Sequence, residues 1–128
     1  MELKMEKMDS FTEERPWGSF EQFILNKKCS VKIMRIKNGE AISFQYHQKR
    51  AQFYYILDDG FIIWVGDKKD KAKYEIVTPK PGDRFFFEQD QSHRAFFHNE
   101  GEGRYLEISL GEYDEKDIQR LHDIYGRI

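Results

Sequence analysis

The sequence predicts an all-β domain of the sandwich or barrel type. Segments rich in β-branched and aromatic residues recur at short, even intervals, with clusters of Asn, Asp, Gly and Pro between them. Helical periodicity is confined to the tail. The 128 residues suffice for one domain, and eleven Phe and seven Tyr supply apolar mass for its core.

Residues 1–14 are polar and read as a flexible N-terminal segment, leaving 15–128 as the folded domain. Strands are expected at Phe20–Leu25, Val31–Ile36, Ala41–His47, Gln52–Leu57, Phe61–Val65, Tyr74–Val77, Arg84–Phe87, His93–Phe97 and Tyr105–Leu110. The connections Lys37-Asn38-Gly39, Asp58-Asp59-Gly60, Lys80-Pro81-Gly82-Asp83 and Asn99-Glu100-Gly101 carry the residues that tight turns demand. The charged run Gly66–Lys71 reads as a solvated hairpin loop. Over Tyr113–Tyr125 the spacing of Ile118, Leu121, His122 and Tyr125 predicts a short helix packed on the β domain.

A net charge of −2, with acids and bases mixed along the chain, gives no field to hold a polyanion, so nucleic acid is not an expected partner. Cys29 is the only cysteine, which excludes an intrachain disulfide and a cysteine-based zinc site and suits a reducing compartment. No apolar run has the length of a signal peptide or a membrane span, so a cytoplasmic location without membrane contact is expected.

Chemistry is expected from four residues. Gln45 and His47 are two apart on one strand and share a face; Gln52 opens the next strand and His93 a later one. If the strands close into a barrel, two imidazoles and two amide oxygens meet, a workable shell for a divalent first-row metal with positions left for water or substrate. Spacing alone favours the plainer alternative of polar strand residues and a turn histidine. Arg104 and Glu107 are three apart on one strand and face opposite ways, so Glu107 points either inward, as a candidate base, or to the surface.

The pattern from Gly39 through Gln45, His47 and Gln52 to Gly60 resembles the first cupin motif, and Pro81-Gly82, His93 and Asn99 resemble the second. Three strings are similar to the C-terminal domain of type II mannose-6-phosphate isomerases: Arg15-Pro16-Trp17-Gly18-Ser19-Phe20-Glu21; Gly39-Glu40 with Ser43, Gln45, His47 and Arg50-Ala51; and Glu107-Ile108 through Gly111, Tyr113, Asp117-Ile118, Leu121, Asp123 and Tyr125-Gly126-Arg127. The resemblance implies an RmlC-like jelly-roll cupin barrel with a short C-terminal helix. It implies interconversion of mannose 6-phosphate and fructose 6-phosphate, or of a related phosphosugar, through an enediolate. Gln45, His47, Gln52 and His93 would then hold Zn, Fe, Mn, Co or Ni, Arg50 and Lys49 would face the phosphate or enediolate charge, and a homodimer would form.

Two positions depart from that family. Gln52 stands where its metal-binding Glu is found, which leaves every ligand neutral and predicts weakly held metal. Lys49 stands where another His is usual, and as a cation it suits an anion or, desolvated, a base. The alternative is a non-catalytic cupin that binds a sugar phosphate or nucleotide sugar; a nucleotide-sugar isomerase would differ only in substrate.

Overall fold

A computed structural model describes residues 11–127, and among these every regular element is a strand. In chain order they are β1 (Phe11–Arg15), β2 (Gly18–Gln22), β3 (Cys29–Lys37), β4 (Phe44–Tyr46), β5 (Arg50–Ile56), β6 (Phe61–Gly66), β7 (Tyr74–Val77), β8 (Arg84–Phe87), β9 (His93–Phe97), β10 (Glu102–Gly111) and β11 (Gln119–His122). They form one four-stranded sheet, β3-β10-β5-β8, one five-stranded sheet, β11-β4-β9-β6-β7, and the separate β1-β2 hairpin, with every pairing antiparallel. Two antiparallel sheets closing on one interior make a jelly roll.

Period-two alternation decides what fills that interior. On β5 the inward side chains are Gln52, Tyr54 and Ile56; on β10 they are Tyr105, Glu107 and Ser109; on β9 they are His93, Ala95 and Phe97, all buried. Ile36, Phe61, Ile63, Val65, Phe85 and Phe87 complete an apolar core with Tyr54 and Tyr105. The interior is therefore graded. Its apolar side carries Ile56, Phe61 and Phe97, and its polar side carries His47, Arg50, Gln52, His93, Glu107 and Ser109.

The expected helix over Tyr113–Tyr125 is not formed. The chain turns at Asp114–Asp117, where the Asp117 amide donates to the Asp114 carbonyl at 2.9 Å, and then runs as β11 along β4. Strand β4 would otherwise expose its donors and acceptors on that side, and a helix could not satisfy them. At the other end, residues 11–14 of the segment expected to be flexible form β1 together with Arg15; residues 1–10 lie outside the described residues. Trp17 sits exposed at the hairpin turn. Among the described residues no helix is long and apolar enough to cross a membrane.

The turn glycines behave as their sequence context requires: Gly39, Gly60, Gly82 and Gly101 all have positive φ. Gly103 is glycine for a different reason, because a Cβ there would lie 2.2 Å from the Phe97 ring that packs across β10. Gly103→Ala is therefore expected to destabilise the fold by about 1–3 kcal/mol through overpacking. Urea unfolding should show the loss, whereas Gly39→Ala, with open space at its Cβ, should cost only its φ strain.

Candidate functional site

His47 follows β4 and His93 opens β9, and the β4-β9 pairing sets Gln45 directly opposite His93. The two imidazoles lie 5.2 Å apart between ring centroids and are 2% and 1% exposed. Each Nδ1 meets a backbone carbonyl: His47 at 2.7 Å from Asp117 O and His93 at 3.0 Å from Gln91 O. A carbonyl can only accept, so each Nδ1 carries the proton and each Nε2 presents a lone pair. The His93 Nε2 is buried with no hydrogen-bond partner, and the His47 Nε2 has the Gln45 side-chain nitrogen at 3.4 Å.

The loop that aims His93, residues 88–92, is held by Gln91. The Gln91 side chain accepts from the Glu88 amide at 3.1 Å and donates to the Gly66 carbonyl at 3.1 Å, while Asp90 takes a φ of 65°. Behind His47, the Asp117 carboxylate accepts from the Gln48 and Lys49 amides at 2.9 Å each. Asp117 thus fixes the end of the ligand strand and the imidazole together.

Gln52 also lies against His47. Its amide nitrogen donates to Glu107 Oε1 and Ser109 Oγ, both at 3.2 Å, and its oxygen accepts from the Tyr54 hydroxyl at 3.4 Å. Glu107 therefore points inward, whereas Arg104 pairs at the surface with Asp58 at 2.9 Å, as their three-residue separation dictates. Arg50 is 3% exposed, donates to Asp114 O at 2.9 Å, lies 4.0 Å from the Asp117 carboxylate, and leaves its Nε without a partner. Lys49 stands apart from this group: its side chain is 49% exposed, 4.0 Å from Asp114.

A different lysine joins the polar side. Lys32 of β3 is directly opposite Glu107 in register, and its ammonium donates to the Tyr113 hydroxyl. Tyr113 carries a second cation, with the Arg50 guanidinium 4.6 Å from its ring centroid. Lys32, Tyr113, Ser109 and the backbone role of Asp117 could not be read from spacing, because each partner lies 64–81 residues away or across a register that only the folded sheet defines.

Burial dominates the electrostatics. Desolvation lowers the His47 pKa to about 4, with the Asp117 hydrogen bond pulling the other way and the Arg50 charge adding to the drop. Desolvation, helped by the His47 charge, lowers His93 to about 3. Burial also raises the Glu107 carboxyl, against the pull of Lys32 and Arg50. At neutral pH the two imidazoles are uncharged, the state that binds a metal.

The donor set fits a divalent cation. Two tautomer-fixed imidazoles turn lone pairs inward, one of them orphaned, with the Gln52 and Gln45 carboxamides beside them, the Gln45 oxygen accepting from the Ser43 hydroxyl at 2.5 Å; backbone carbonyls behind ligating histidines are the usual supporting arrangement. No cluster of three or more His, Cys, Asp or Glu suited to a metal occurs among the described residues, so any metal here must use the glutamines. Three surface hollows of about 460, 500 and 520 Å³ lie elsewhere, and none is lined by these four residues.

The topology and inward-facing polar cluster make this protein a cupin. The chain belongs to the mannose-6-phosphate isomerase C-terminal family, whose model matches residues 4–123. It is 30% identical over 114 residues to a mannose-1-phosphate guanylyltransferase of Salmonella montevideo, covering 88% of this chain and 23% of that protein. It is 27% identical over 122 residues to the alginate biosynthesis protein AlgA of Pseudomonas aeruginosa, covering 88% and 22%. The chain thus spans less than a quarter of the length of these relatives. Among solved structures, the dTDP-6-deoxy-D-glucose-3,5-epimerase RmlC of Legionella pneumophila superposes with a TM-score of 0.64 at 9% identity, over 96% of this chain and 79% of that one. The capsular polysaccharide assembling protein CapF of Staphylococcus aureus superposes at 0.66 with 12% identity, over 90% and 35%. These structures share the fold.

The lowered histidine pKa values make stability depend on acid. Unfolded histidines take up protons below about pH 6.5 while the buried pair does not, so the unfolded state binds more protons and stability drops as the pH is lowered through that range. Metal-free protein should lose stability between pH 6.5 and 4, each histidine contributing at most about 1.4 kcal/mol per pH unit. Glu107, with its raised pKa, acts in the opposite sense above its ordinary range. Urea midpoints of wild type and His93→Gln in EDTA should therefore diverge in their pH slopes, the variant being flatter.

Proposed function

We propose that the polar side of the barrel binds a phosphorylated sugar with the help of a divalent cation held by Gln45, His47, Gln52 and His93, and isomerises it between aldose and ketose forms, mannose 6-phosphate being the expected substrate. The observation that carries this is the convergence of two buried, tautomer-fixed imidazoles, one with an unpartnered Nε2, beside the Arg50 guanidinium. Membership of the mannose-6-phosphate isomerase C-terminal family supports the substrate class.

Zn, Fe, Mn, Co or Ni bound there would supply Lewis-acid stabilisation of negative charge on the sugar oxygens. Arg50 would take anionic oxygens of phosphate or enediolate, a role that its unpartnered Nε supports. Isomerisation moves a proton between C1 and C2, and of the non-ligand carboxylates Glu107 is the one that faces the interior from β10. Lys49 is set outside, so its contribution is at most to the field at the rim. The site is covered by its own chain, with Tyr113 and Asp114 packed over Arg50.

Incubating metal-loaded protein with mannose 6-phosphate and measuring fructose 6-phosphate tests the proposal. Product is expected from wild type and should fall by at least about 100-fold in His47→Ala, which removes a ligand. A rise in melting temperature with the sugar phosphate but no product would favour a non-catalytic sugar-phosphate or nucleotide-sugar binder. The absence of both would end the proposal. A homodimer is part of the same reading and is checked by sedimentation equilibrium.

A further inference from the structure

Gln52 presents an unusual hydrogen-bond pattern. Both nitrogen protons go to groups on β10, the Glu107 carboxylate and the Ser109 hydroxyl, each at 3.2 Å. A carboxylate only accepts, so the amide cannot be turned over without setting its oxygen against Glu107. Its oxygen is thereby held on the side of Tyr54 and His47. Glu107 and Ser109 occupy alternate inward positions of β10, and Ser109 is the register partner of Gln52, so the clamp is built into the β5-β10 pairing.

The charge balance makes this clamp matter. Gln45, His47, Gln52 and His93 are all neutral, and Arg50 is close enough to disfavour positive charge on both imidazoles. A divalent cation in this interior would meet no negative ligand, and the Arg50 guanidinium, itself beside the Asp117 carboxylate, would repel it. Glu107 is the carboxylate one hydrogen bond behind the donor set, 6% exposed and poorly screened.

We propose that Glu107 is a positioning residue for the metal: through Gln52 it holds the amide oxygen on the side of Tyr54 and His47 and supplies negative charge that the ligands lack. A carboxylate behind a neutral ligand acts here as it does behind a ligating histidine, polarising the ligand and offsetting the cation. The inference rests on the metal-binding part of the proposed function and is separate from proton transfer by Glu107, because it concerns affinity.

The test titrates Co²⁺ into metal-free protein by calorimetry, with the visible Co²⁺ spectrum as a second readout. Wild type, Glu107→Gln and the exchange variant Gln52→Glu/Glu107→Gln are compared, each checked for folding by thermal unfolding in EDTA. Glu107→Gln should weaken Co²⁺ binding about 10–100-fold. The exchange variant keeps the same groups and total charge and moves the carboxylate to the ligand position, so its affinity should return to that of wild type or exceed it. Equal affinity of wild type and Glu107→Gln would overturn the inference while leaving the metal site standing, as would failure of the exchange variant to recover binding lost in the single variant. No Co²⁺ binding by wild type would overturn both. If Glu107→Gln does not fold, an exchange variant that folds but binds Co²⁺ more weakly than wild type overturns the inference, and one that binds as tightly supports it.

Discussion

The polar half of the barrel depends on how two imidazoles are buried without charge. A histidine in an apolar interior loses its proton unless something stabilises the cation enough to offset burial, and here the Asp117 and Gln91 contacts do not; Arg50 makes the charged form worse. What remains is a neutral ring with one donor and one acceptor. In both rings the donor is spent on a backbone carbonyl, of Asp117 and of Gln91, so the acceptor is left facing inward. The turn at Asp114–Asp117 and the loop at Glu88–Gln91 therefore belong to the site as much as the strands do, since each places the carbonyl that sets a tautomer.

This dependence accounts for what the sequence disclosed. The nine expected strands all overlap observed ones, because they rest on period-two alternation and on Gly, Asn, Asp and Pro at the turns, properties local enough to survive without tertiary information. The same alternation brought Gln45, His47, Gln52 and His93 to one interior and separated Glu107 from Arg104. Lys49 was expected beside them but faces out, since it lies in the turn after the ligand strand, where alternation no longer holds. The C-terminal helix failed for a related reason. Its periodicity was helical, but the β4 edge needed backbone partners, and satisfying a row of buried peptide groups outweighs an amphipathic pattern of a dozen residues. Strand β1 was missed because Phe11–Arg15 is polar and lies in a largely exposed two-stranded hairpin, which leaves no hydrophobic signature.

Position 52 links the architecture to chemistry. A glutamine in place of a glutamate would be expected to disarm a metal site, yet the amide is embedded between Glu107, Ser109, Tyr54 and His47. The acidic group sits on the neighbouring strand, and the geometry that holds it there follows from the β5-β10 register. Arg50 has a comparable double character: its contacts to Asp114 and Asp117 secure the covering segment, while its unpartnered Nε gives the interior an anion-facing donor.

The proposed metal centre stands or falls on whether the inward lone pairs of His47 and His93 hold an ion. Elemental analysis of protein purified without chelator, alongside His93→Ala, tests it most directly. About one transition-metal ion per chain is expected in wild type and close to none in the variant. Wild-type protein that stays metal-free after incubation with excess Zn, Mn, Co, Ni and Fe(II) salts would contradict it.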